Sequence, residues 1–149
     1  MYTEVGTVSQ STISELRNIL LEMTWWKRWE HHVSEVTDHQ AAPCDEPLIA
    51  VSEIADRWPV DTWRNLSFLR LKPEGKLYRH HDDGFGFLVP VETNEHCISL
   101  SYENGVRKEQ HLEVGKIYSV DRSIEHESFN NGETDRTHLI VLIKEAHND

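Results

Sequence analysis

Near residue 66 the spacing of apolar residues changes period, and that change divides the chain. Before it, Ile13, Leu16, Ile19, Leu20 and Met23 recur every three or four positions, the spacing that gathers side chains on one face of a helix. The run TISE has the form of a capping box, with Thr12 as N-cap and Glu15 at the third helical position, so a helix is predicted over 12–23. Trp25, Trp26 and Trp29 follow and are expected to anchor their segment on the main body. Pro43 and Pro47 make 38–50 irregular. LIAVSEIADRW reads as a helix ending before Pro59, or equally as the start of a strand.

After residue 66 the period becomes two. LSFLRL alternates, KPEGK turns, and LYRH is a short strand. FGFLVPVET is rich in β-favouring residues, and HCISLSY puts Cys97 and Ser99 on one face and Ile98 and Leu100 on the other. Asn104-Gly105 is a strong hairpin signal. VRKEQHLEV, KIYSVD and RTHLIVLI complete seven or eight short strands, the last a deeply buried one. The expectation is a single domain over 1–149. Residues 1–65 form a mainly helical part packed on a β-sandwich or barrel core over 66–145, for which a jelly roll is one fit.

A net charge of −11 argues against a nucleic-acid grip, which needs clustered Lys and Arg. No apolar run approaches the length of a membrane span, and MYTEVGTVSQ lacks the basic and apolar regions of a signal peptide, so a cytoplasmic protein with no membrane partner is expected. Cys44 and Cys97 are far apart and outside any CxxC pair, which favours two reduced thiols.

Candidate chemistry concentrates in RHHDDG. His80 and Asp82 form one H-x-D pair and His81 and Asp83 another. On an extended strand each pair shares a face, and only one pair can face the interior. His126, in SIEHESFNNG, is the best third ligand. Two histidines and one carboxylate leave coordination positions open, as in non-haem Fe(II) oxygenases. Arg136 heads the apolar strand RTHLIVLI, where a buried cation needs an anionic partner. A carboxylate cosubstrate meets that need, and so does a salt bridge to Asp121 or Glu133. His31, His32 and His39 are a rival cluster, without the spacing of a zinc motif. The tryptophans are expected in the packing, with Trp58 or Trp63 available to line a substrate entrance.

In order, KPEGKLYRHHDDG, FLVPVETN and LEVGKIYSVDRSIEHESFNNGETDRTHLIV resemble the C-terminal half of the aspartyl/asparaginyl β-hydroxylase family of Fe(II)- and 2-oxoglutarate-dependent oxygenases. The resemblance spans 72 to about 143. It implies a double-stranded β-helix (jelly roll, cupin-like) and a dioxygenase that hydroxylates an amino-acid side chain, free or in a peptide, using O2. It places Fe(II) on His80, Asp82 and His126, and 2-oxoglutarate on Arg136, with His138 contacting the cosubstrate or ordering Asn130. It favours His80/Asp82 over His81/Asp83. One departure stands out: some members carry Arg-x-His on the strand after the first histidine, whereas GFGFLVPV has no arginine. Two other functions remain open from the residues, a non-catalytic jelly-roll binding module and a cupin-type metalloenzyme that uses no 2-oxoglutarate.

Overall fold

The computed structural model describes residues 1–21, 25–28, 34–37 and 63–143. Among them the chain runs β1 (Tyr2–Thr7), α1 (Gln10–Leu20), β2 (Trp25–Arg28), β3 (Ser34–Thr37), β4 (Trp63–Leu71), β5 (Lys76–His80), β6 (Phe85–Glu92), β7 (Cys97–Glu103), β8 (Val106–Gln110), β9 (Lys116–Asp121), β10 (Glu125–Asn130) and β11 (Arg136–Ile143). The strands form two antiparallel sheets. A seven-stranded sheet has the order β1-β9-β6-β11-β4-β3-β2, and a four-stranded one has the order β5-β10-β7-β8. This is the jelly-roll architecture that the sequence led us to expect, and β4 to β11 are its eight strands after residue 66.

Turn chemistry sets the strand boundaries. Asn104 and Gly105 both take positive φ (53° and 76°), as a two-residue hairpin between β7 and β8 requires. β11 reads as a continuous apolar run because it is central: β4 pairs with one of its edges and β6 with the other. Alternate residues of these strands then face two different layers. Phe68, Phe87, Val89, Val91, Ile117, Leu139 and Val141 pack with Ile13 and Leu16 of α1. Leu69 and Leu71 pack with Leu77 of the small sheet, so this second cluster bridges the sheets. The functional cavity lies in that inter-sheet layer.

The N-terminal third departs from expectation. α1 begins two residues before Thr12, and its N-cap is Ser9, whose hydroxyl accepts from the Thr12 amide at 3.2 Å. The start is fixed from outside the helix: the Val8 amide donates to Gly115 O at 2.8 Å, holding the chain where β1 ends. Arg17 donates to Val91 O at 3.0 Å and ties α1 to β6. The expected mainly helical part holds three strands beside this helix among its described residues, because β1 pairs with β9 and the β2-β3 hairpin pairs with β4. The second predicted helix, Trp29, Trp58, Cys44 and the cluster His31, His32 and His39 lie outside the described residues. Cys97 is a free, buried thiol. No helix among the described residues is long and apolar enough to cross a membrane.

Candidate metal and cosubstrate site

β5 and β10 pair so that His80 stands directly opposite His126. Between this pair and the Leu77–Ser128 pair, β5 spends three residues where β10 spends two. The extra residue is a bulge at Tyr78–Arg79, and its effect is decisive. Without it Leu77 and His80, three apart, would face opposite sides of the sheet. With it Leu77 is buried in the inter-sheet cluster and His80 meets His126 from the same side, ring centroids 4.4 Å apart.

Each imidazole is held through its Nδ1. His80 Nδ1 donates to Tyr78 O, and His126 Nδ1 donates to Ile124 O at 2.7 Å. A carbonyl only accepts, so Nδ1 carries a proton, and in the neutral tautomer Nε2 is the atom that can ligate a metal. Burial pushes the pKa of His126 down, which favours that neutral form.

Asp82 comes to the same point by a different route from the one the H-x-D pattern suggests. β5 stops at His80, and 81–84 is a loop. The loop is positioned by Arg122, in the turn before β10. The Asp82 amide donates to Arg122 O at 2.9 Å, and the Arg122 amide donates to Gly84 O at 3.2 Å. Gly84 supplies the positive φ (108°) that the loop needs. The Arg122 guanidinium then donates to Asp82 Oδ2 at 3.1 Å, which places that oxygen 3.4 Å from His80 Nε2. One ligand atom from each of His80, Asp82 and His126 lies within 4.8 Å of the others. His81 and Asp83 are exposed and outside this group. Arg122 was not singled out from sequence. A cation four residues before the distal histidine is the signal that could have marked it.

From the ligand group a cavity of about 80 Å³ runs inward between the sheets, with Leu69, Leu77, Leu88 and Ile140 among its walls. Arg136 and His138 line it from β11, only 3% and 2% exposed. Neither Asp121 nor Glu133 pairs with Arg136: the Asp121 carboxylate accepts from Ser123 instead, and Glu133 is exposed. Among the described residues, no ion pair or hydrogen bond reaches the Arg136 guanidinium, and its Nε is buried without a partner. Burial lowers its pKa, opposed by nearby Tyr2 and Cys97. The His138 Nε2 is likewise buried and unpartnered, and burial, reinforced by Arg136, holds its pKa well below the usual histidine range. His138 does not order Asn130, whose amide is held by Leu71 O, Thr134 O and the Gly132 amide.

The donor set suits a metal, and the orphaned guanidinium suits an anion. A buried cation without a counter-charge is costly, and here it faces a cavity with room for a small carboxylate. Ser128, which also lines the cavity, lies two residues from His126 along β10, a step of about 7 Å along a strand.

The fold recurs in known proteins. The chain's fold is shared with the alpha-ketoglutarate-dependent epimerase SnoN from nogalamycin biosynthesis (TM-score 0.69, 14% identity, 97% of this chain and 78% of that one). It is shared also with a Pseudomonas putida prolyl-4-hydroxylase (TM-score 0.66, 13% identity, 97% and 92%). A 2OG-Fe(II) oxygenase family oxidoreductase from Burkholderia pseudomallei gives a TM-score of 0.64 at 9% identity, over 87% and 77%. No curated protein sequence matches the chain. The family model for aspartyl/asparaginyl beta-hydroxylase matches residues 6–146, nearly the whole chain. This chain therefore belongs to the aspartyl/asparaginyl beta-hydroxylase family, and is a hydroxylase of the 2-oxoglutarate-dependent, Fe(II)-using class.

Proposed function

We propose that His80, Asp82 and His126 bind one Fe(II), that Arg136 binds the distal carboxylate of 2-oxoglutarate with His138 beside it, and that the protein hydroxylates an amino-acid side chain, free or in a peptide, by Asp/Asn-type β-hydroxylation. The observation that carries this reading is Arg136, unpaired among the described residues, lining the same cavity as the His-Asp-His group. When bound, iron and 2-oxoglutarate together supply the oxidation of an unactivated C–H bond by O2, with succinate and CO2 as coproducts.

The chain's own residues do the rest. The two histidines turn Nδ1 to backbone carbonyls and so present Nε2 as the ligating atom of the neutral tautomer. Arg122 holds the Asp82 oxygen that lies nearest His80 and so orients the carboxylate in the group, while two histidines and one carboxylate keep positions open for cosubstrate and O2. Arg136 orients the cosubstrate by its far end and fixes how its 2-oxo acid end meets the metal. Leu69, Leu77, Leu88 and Ile140 keep water from the inner part of the site.

The test is an anaerobic titration of metal-free protein with Fe(II) and then 2-oxoglutarate, followed in the visible range. A weak charge-transfer band that needs both additions is expected. Iron binding without any response to 2-oxoglutarate would leave a cupin-type metalloenzyme, and no iron binding would leave a binding module.

A further inference from the structure

At Gly86 the structure leaves no room for an arginine on β6. Gly86 lines the cavity on that strand, and a Cβ there would collide with the carbonyl oxygen of Val141 on the paired β11. β6 and β11 approach too closely at this point for any side chain, so no long cation can reach the cosubstrate from it. The remaining residues of GFGFLVPV are apolar, glycine or proline. Arg136 would thus face a carboxylate with two oxygens and no fellow donor from this strand.

A donor comes instead from the other end of the chain. β1 pairs with β9, Tyr2 opposite Val120, and this brings Tyr2 into the inter-sheet layer, where it lines the same cavity. Tyr2 is only 8% exposed. Its ring packs with Leu88, Tyr118 and Val120. Ser99, Ser128 and the Arg136 guanidinium all stand near enough to its hydroxyl to favour the ionised form, against the burial that disfavours it. Ser99 and Ser128 are themselves paired across β7 and β10, two residues from the His126–Ser101 pair that marks the metal end. The groups near the Tyr2 hydroxyl are the Arg136 guanidinium and the Ser99 and Ser128 hydroxyls, with no carboxylate among them, and His138 lines the same cavity. Burial raises the phenol's pKa, so the hydroxyl keeps its proton at neutral pH and stays a donor.

We propose that the Tyr2 hydroxyl is a second donor to the distal carboxylate of 2-oxoglutarate, working with Arg136 in place of an arginine on β6. The inference rests on the cosubstrate reading given above. A neutral donor beside one guanidinium adds a directed hydrogen bond without burying a second cation, which the unpaired Arg136 already makes costly in the ligand-free protein.

The experiment compares two probes on anaerobic, Fe(II)-loaded protein: 2-oxoglutarate, and 2-oxobutyrate, which has the same 2-oxo acid end and no distal carboxylate. Affinities are read from the charge-transfer band. Tyr2→Phe keeps the ring that packs on Leu88 and Val120, so thermal unfolding without ligand should match wild type. It should weaken 2-oxoglutarate roughly ten-fold, the loss of one hydrogen bond to a charged group, and leave 2-oxobutyrate unchanged. An equal loss for both probes, or no loss for either, overturns the role. If Arg136→Met abolishes the preference for 2-oxoglutarate and Tyr2→Phe does not, the tyrosine inference falls alone. If wild type gives no band with either probe, the cosubstrate reading falls and takes this inference with it.

Discussion

His80 and His126 are direct cross-strand partners on β5 and β10, and a bulge at Tyr78–Arg79 is what turns His80 toward its partner. The pair is thus built into a sheet and does not hang from a loop. Asp82 is the only loop-borne member of the group, and Arg122 fixes it from both backbone and side chain.

This division predicts graded effects on metal binding. His80→Ala, Asp82→Ala and His126→Ala each remove a donor and should weaken Fe(II) or Mn(II) by more than about 100-fold. Arg122→Gln disturbs only the orientation of Asp82, for which about 10- to 100-fold is expected. His81→Ala should leave affinity within a factor of about two of wild type, since His81 is exposed and outside the group. Calorimetric titration of metal into the apoprotein gives all five values. A large loss on replacing His81 would contradict the assignment.

The core strands were legible in the sequence for local reasons. Alternation in LSFLRL and HCISLSY, and the Asn104-Gly105 turn, are properties of a few neighbouring residues. The bulge was not legible, because nothing in LYRH says that β5 spends an extra residue against β10. The H-x-D argument left two pairs open, and its premise, an extended strand through Asp82, does not hold here: β5 stops at His80, and a loop brings Asp82 beside His80 and His126. β1 was missed because the strand it pairs with among the described residues, β9, is more than a hundred residues away, and with it went Tyr2. The helix start was misplaced for the same kind of reason. SQST offers several hydroxyls, and the choice of Ser9 depends on the Val8–Gly115 bond, a contact no local pattern shows.

Gly86 carries a prediction about the close approach of β6 and β11. Gly86→Ala sets a methyl against the Val141 carbonyl, and backbone cannot swing aside as a flexible side chain can. The cost should be about 1–3 kcal/mol, a fall of several degrees in the unfolding temperature. Differential scanning calorimetry measures it directly. An unchanged unfolding temperature would mean that β6 can shift and that the strand has room for a larger residue.

His138 predicts a stability that weakens in mild acid. Its folded pKa lies well below the ordinary value near 6.5, so the folded protein keeps this ring neutral while the unfolded chain protonates it. Stability linked to this group is complete above the unfolded pKa of about 6.5 and falls as pH drops below it toward the folded value. In metal-free protein, wild type should lose up to about 1.4 kcal/mol more per pH unit across this window than His138→Gln, which has no proton to take up. Urea unfolding at a series of pH values from neutral down to about 5 gives the two slopes. Parallel slopes would place the ring in a setting where it titrates as it does in the unfolded chain.

Arg136 separates stability from function most sharply. In the ligand-free protein its guanidinium is buried without an ionic partner, so it works against the fold. Arg136→Met fills similar space with an apolar chain and should unfold at the same temperature as wild type or higher, by as much as roughly 1 kcal/mol of added stability. The same change should cost about 2–5 kcal/mol of 2-oxoglutarate binding, at least about 30-fold, because the distal carboxylate loses its charged partner. Metal affinity should not change, since Arg136 touches none of the three ligands. Thermal unfolding, metal titration and cosubstrate titration on this one variant test all three statements. A variant that is clearly less stable yet binds 2-oxoglutarate as wild type does would mark Arg136 as a structural residue and remove the anchor from the proposed site.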